Sequence, residues 1–149
     1  MLLAFVQILI GALVAGIDAG RNYPDWPLMA GGFFPPDPFG LTPIWRNFFE
    51  DDGLVQFMHR IAGYVLFTFA VIVWAYARKS GNNRTRFAFN AMIVAMLLQV
   101  VLGIATVIYS APWELAIVHQ LGAVILWVFI LRARFLAQYP HPQSIQGAY

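Results

Sequence analysis

Two histidines, His59 and His119, interrupt apolar stretches of helical length in a 149-residue chain that is 60% hydrophobic and 11% charged. An ionisable side chain inside a membrane span is expensive, which makes each histidine a candidate functional residue. Counted from the acidic ends of their stretches, His59 lies seven residues after Asp52 and His119 five after Glu114. At 1.5 Å of rise per residue, both sit roughly 8–10 Å below the same membrane face. Two imidazoles at similar depth on neighbouring helices have the chemistry to clamp one haem iron from both sides. Counted from Arg78 and Arg132 at the opposite ends, the two depths differ by six residues. The outer count sets the expectation, with the second stretch projecting further on the basic side.

A macrocycle between helices needs small residues beside each ligand. Gly63, at i+4, shares the face of His59, and Ala116, Gly122 and Ala123 flank His119 at i−3, i+3 and i+4. Bundle cores are a usual place for such cofactors. The first stretch adds two small-residue rows, Gly11/Ala15/Ala19 and Ala12/Gly16/Gly20, for close backbone approach. Arg60 suits a haem propionate, because arginine matches carboxylates; an interfacial arginine that snorkels outward is the plain alternative. Gln7 and Gln99 either bond across helices or support the histidines from behind. A lone histidine near an interface is usually a structural hydrogen-bonding residue, but a pair at matched depth, each beside small residues, favours haem. Zinc is disfavoured, since two histidines without a third strong ligand leave its coordination unfilled. The chain has no cysteine, which excludes disulfides, thiolate metal sites and covalent c-type haem. A haem here is held by coordination and packing alone, and no catalytic residue stands out.

The elements that must position these residues follow from hydropathy. Uncharged or nearly uncharged runs cover 1–17, 61–77, 87–109 and 115–131, against the roughly 17–25 residues a span requires. The expected fold is all-α: a membrane four-helix bundle over 1–137, with spans at about 1–17, 54–77, 87–109 and 114–133 and a polar tail over 138–149 in which His141 is simply solvated. The first run is marginal, as if an upstream turn were missing, and it lacks the basic start of a signal peptide. A long outer loop, 18–53, holds six of the nine prolines and is expected to be irregular. Within it, 41–49 reads as a short helix capped by Thr42 with Pro43 at its first position. Trp45, Phe48 and Phe49 then share a face suited to the membrane interface; a loop packed onto the bundle by those aromatics is the alternative.

Charge fixes the orientation. Arg78, Lys79, Arg84 and Arg86 crowd one short loop and Arg132 and Arg134 follow the last span, while every acidic residue falls in the other two loops. The positive-inside rule puts both termini inside and both histidines toward the outer face. Topology explains the basic cluster without nucleic acid. A weak internal repeat is also visible. Gln7-x-x-x-Gly11 matches Gln99-x-x-x-Gly103, and His59-Arg60 followed by Ala62-Gly63 matches His119-Gln120 followed by Gly122-Ala123. Two copies of one helical hairpin would make a pseudo-symmetric bundle.

The segments Gly11-Ala-Leu-Val-Ala-Gly-Ile-Asp-Ala-Gly20, Asn22-Tyr-Pro-Asp-Trp-Pro-Leu-Met29, Asn47-Phe-Phe-Glu50, Val55-Gln-Phe-Met-His-Arg60 and Pro112…His119-Gln120 resemble the haem A synthase family (CtaA type), in its alphaproteobacterial and mitochondrial branch. The resemblance runs from about Gln7 to Arg134. It implies an oxidoreductase that converts the C8 methyl of haem O to the formyl of haem A for terminal oxidases, built from two similar four-helix halves, each with a histidine pair. This chain resembles the C-terminal half, whose pair is expected to hold haem b, and His59 and His119 fall on its positions. The haem O site and an acidic residue important for oxidation belong to the N-terminal half, so this half alone is not expected to suffice for catalysis. The resemblance also implies the inner membrane of a bacterium, or of a mitochondrion. Its implied partners are membrane lipid, the N-terminal half or a second copy, haem O synthase and the cytochrome oxidase assembly machinery. Two other readings stand beside it: an autonomous b-type cytochrome or haem-binding oxidase-assembly protein, and a haem-free membrane interaction module.

Overall fold

The structure, a computed structural model, describes residues 1–140 and 142, so His141 and most of the polar tail lie outside the described residues. The described residues form helices α1 (Leu2–Gly16), α2 (Asn47–Glu50), α3 (Asp52–Ala77), α4 (Asn83–Ile108) and α5 (Trp113–Gln138), with no strand among them. The chain is therefore all-α, as its hydropathy pattern requires. Three helices of 26 residues each are long and apolar enough to cross a membrane, while α1, at 15 residues, is shorter.

Capping chemistry explains why two helices start earlier than the apolar runs predict. The Asp51 carboxylate accepts from the Leu54 amide at 2.7 Å, starting α3 at Asp52. The Asn82 side chain accepts from the Thr85 amide at 3.1 Å and starts α4 at Asn83. Each satisfies a backbone donor that a helix N-terminus leaves open. At the other extreme, α5 continues past Arg132 to Gln138. That extension removes the mismatch in depth, because His59 lies 18 residues before Ala77 and His119 lies 19 before Gln138. The end of α1 at Gly16 leaves Ala19 and Gly20 in the turn beyond it. The small-residue rows thus act only at points: a Cβ on Gly20 would lie 3.0 Å from the Ala111 Cβ, whereas Gly16 faces open space.

The long helices close a ring in which α1 packs on α3, α3 on α4, α4 on α5, and α5 back on α1. Side chains tie each seam. Phe5 meets Trp127 with ring centroids 6.0 Å apart, Trp74 Nε1 donates to Asn90 Oδ1 at 2.8 Å, and Thr85 Oγ1 donates to the Leu136 carbonyl at 3.0 Å. The two histidine-bearing helices, α3 and α5, thus occupy diagonal corners. The buried apolar cluster joins Ala4, Leu66, Ala70, Ala88, Phe89, Met92, Ile93, Met96, Leu126, Ala133 and Leu136. It fills the basic end and stops below the level of the histidines.

The outer loop closes the other end, differently from the helix expected at 41–49. Pro43 is extended and precedes a single 3-10 turn, Ile44–Arg46, which leads into α2. Thr42 caps nothing by its side chain. Asn47, fully buried, replaces it: its amide accepts from Leu41 N at 2.9 Å and donates to the carbonyls of Leu41 (2.9 Å) and Ile44 (2.8 Å). A side-chain amide can bond backbone on both its edges, which a threonine hydroxyl at the start of the turn cannot match here. Trp45, Phe48 and Phe49 remain largely exposed instead of packing onto the bundle.

Candidate functional site

The site grows from one unit that occurs twice. On α1, Gln7 and Gly11 are one turn apart, and the neighbouring α3 presents His59 and Gly63 against them. The His59 ring lies on Gly11, where a Cβ would sit 3.0 Å from Cε1. The Gln7 amide reaches across to His59, its nitrogen 3.1 Å from Nδ1, 3.3 Å from Nε2 and 3.0 Å from the His59 carbonyl oxygen, to which it donates. The same nitrogen would meet a Cβ on Gly63 at 3.3 Å. On α4 and α5 the packing repeats, without a hydrogen bond from Gln99 to His119 among the described residues. The His119 ring lies on Gly103 with the same 3.0 Å approach to Cε1, and a Cβ on Gly122 would collide with the Gln99 amide. The weak sequence repeat is therefore a geometric one, in which a glutamine lies over a glycine and a histidine over another.

Small residues beside the histidines were expected to leave room for a macrocycle. In the structure, the space at Gly63 and Gly122 is where the glutamine amides come closest, and Ala123 is half-buried. The two imidazoles lie on helices at diagonal corners of the ring. Three buried polar side-chain atoms lack any hydrogen-bond partner among the described residues: Gln7 Oε1, Arg60 Nε and His119 Nδ1. All three belong to this one region. Buried polar groups are nearly always satisfied, so these three atoms mark this region as the part of the described residues with polar groups left to pair. No group of three or more histidine, cysteine or acidic side chains converges as an ion site among the described residues. The available donor set is one imidazole from α3, laid on Gly11, and one from α5, laid on Gly103 with its Nδ1 unpartnered, and two imidazoles are a donor set that suits a haem iron.

Arg60, next to His59, is turned into the protein. Its guanidinium donates to the carbonyls of Leu28 and Tyr23, each at 2.9 Å, and to Gln56 Oε1 at 2.8 Å. Gln56, 2% exposed, in turn donates to the Ala19 carbonyl at 3.0 Å. This network ties the outer loop to α3 next to His59 and leaves Arg60 Nε as the buried guanidinium nitrogen without a partner among the described residues. Sequence reasoning passed over Gln56 and Asn47 as individual residues. The signal for Gln56 was its position four residues before Arg60, on the same helical face. Tyr23 covers the start of α3, where a Cβ on Gly53 would come within 3.2 Å of its ring edge and hydroxyl. Desolvation, followed by the charges of Asp51, Asp52 and Asp37, pushes its phenol pKa up, so it stays a neutral lid residue.

These features define a multi-pass helical membrane protein with two matched histidine units closed over by one loop. The chain belongs to the COX15-CtaA family, described as cytochrome oxidase assembly protein, whose model matches residues 1–131. It is similar to Heme A synthase of Ruegeria pomeroyi (66% identical over 145 residues, 97% of this chain) and of Ruegeria sp. (63% over 144 residues, 97%). The Heme A synthase of Paracoccus denitrificans is 54% identical over 147 residues, 99% of this chain. The chain spans 38–39% of the length of these relatives. No solved structure matches it.

Proposed function

We propose that this chain is the haem b-holding half of a haem A synthase, with His59 and His119 as axial ligands of one non-covalently bound haem. The observation that carries this reading is the doubled unit: two histidines at nearly equal helical depth, each laid on a glycine of the adjacent helix, with the glutamine one turn before that glycine packed against a glycine of the histidine's own helix. The sequence kinship supports the haem A setting, in which the C8 methyl of haem O is oxidised to a formyl group for cytochrome oxidase. Substrate and oxidising chemistry belong to the other half of the enzyme, and this half holds and orients a redox centre beside it. When bound, the haem supplies one-electron transfer at its iron. The protein's own tasks are to present an imidazole lone pair from α3 and another from α5, and to keep water out with the tied-down loop. Arg60 Nε, the buried nitrogen of that guanidinium without a hydrogen bond among the described residues, would serve a propionate. The basic end faces the cytoplasm, which puts the haem toward the outer face of the bacterial inner membrane.

The test uses the full chain expressed with ample haem supply. The purified protein should carry one extractable haem b and show a low-spin b-type spectrum on reduction. His59→Ala and His119→Ala should each lose that spectrum while keeping wild-type helical content. Wild-type protein that binds no haem under these conditions overturns the proposal.

A further inference from the structure

Six cations crowd the basic end of the bundle, and no Asp or Glu occurs between Gly53 and Trp113 or after Glu114. Topology accounts for their number, but not for how differently they are used. The Arg78 guanidinium lies 5.1 Å from the centre of the Trp74 ring, and the Lys79 ammonium 5.6 Å from that of Tyr76. Arg86 donates to Asn83 Oδ1, and Arg134 meets Met1 Sδ at 2.9 Å. Arg84 and Arg132 alone have no hydrogen-bond, ion-pair or ring partner among the described residues. Both line the same groove, between the start of α4 and the end of α5.

That groove encloses about 610 Å³ and is completed by Asn83, Phe87, Phe135 and Leu136. Its composition is graded. Two unengaged guanidinium groups stand on it together with Phe87 and Phe135, which are 65% and 58% exposed, the Phe135 ring also packing on Tyr139 with centroids 5.2 Å apart. Arg84 also sits in the first turn of α4, where the helix dipole adds to the attraction for an anion. We propose that this groove binds the phosphate headgroup of an anionic phospholipid, with Arg84 and Arg132 on the phosphate oxygens and Phe87 and Phe135 against the first acyl segments. Guanidinium forks match phosphate geometry, and basic pockets between helices at a membrane face suit such headgroups. The adjacent aromatic pair distinguishes a lipid from free phosphate, which would gain nothing from it. The assignment is independent of the histidines and stands whether or not they hold haem.

The test measures phosphatidylglycerol retained by the full chain after reconstitution in phosphatidylcholine nanodiscs doped with phosphatidylglycerol, followed by native mass spectrometry. The wild-type protein should keep bound phosphatidylglycerol through delipidation. The Arg84→Gln/Arg132→Gln variant should lose it by roughly tenfold or more, with unchanged helical content. Arg86→Gln, which removes an engaged cation from the same end, should keep it. Equal retention by the double variant, or equal loss in Arg86→Gln, overturns the site in favour of diffuse attraction. Displacement by millimolar inorganic phosphate would assign the groove to free phosphate and overturn the lipid.

Discussion

At Gly11 and Gly103 a single methyl group decides whether an imidazole can lie where it does, because a Cβ at either position would press on a histidine Cε1 at 3.0 Å. Overpacking a tight contact costs on the order of 1–3 kcal/mol and moves the neighbour off its rotamer. Gly11→Leu and Gly103→Leu should therefore displace the rings and lower haem content by about ten- to a hundredfold, the range seen when groups supporting a metal ligand are lost. Gly16→Leu is the matched control, since that glycine is on the same helix and faces open space; haem content measured by extraction should be unchanged there. Part of this was legible from residue types alone. Intramembrane histidines announce themselves by their energetic cost, and the two Gln-x-x-x-Gly pairs could be counted. That each glycine supports a histidine was not legible, because the contact depends on which helices become neighbours.

At the scale of elements, what matters is how the outer loop is held over the helix ends. Arg60 is the pivot, satisfying two loop carbonyls and the Gln56 side chain from within α3. Replacing it by leucine leaves the buried Gln56 oxygen and two part-buried loop carbonyls without their donor, at about 1–3 kcal/mol for a fully buried group left unsatisfied and less where water reaches. Hydrogen exchange should show the amides of residues 19–30 exchanging faster in Arg60→Leu, while α4 and α5 keep their protection. Unchanged exchange in that loop would show that the network does not hold it. Helix existence was readable from hydropathy, since apolar runs of this length have few alternatives. Helix starts were not, because Asp51 and Asn82 begin α3 and α4 outside the apolar runs. The failed cap at Thr42 has the same origin: Asn47, five residues further along the segment, takes over the backbone groups of the turn.

At the scale of the whole molecule, the ring order α1–α3–α4–α5 converts a weak repeat into a symmetric clamp. It places both histidine helices on a diagonal and both glutamine helices on the other, which no count along the chain could foresee. It also resolves the unequal depths read from Arg78 and Arg132, since α5 runs on to Gln138 and the two histidines come within one residue of the same distance from their helix ends. The packed apolar cluster below and the tied loop above then leave the histidine level as the layer where buried polar atoms lack partners. The central claim is that this layer holds one haem through both rings. The most direct test is chemical rescue of the full-length His59→Gly and His119→Gly variants with free imidazole. Each variant should lose the low-spin b-type spectrum and regain it as imidazole fills the vacated axial position. A variant that keeps the wild-type spectrum with no imidazole added would show that its histidine is not a ligand and would contradict the account.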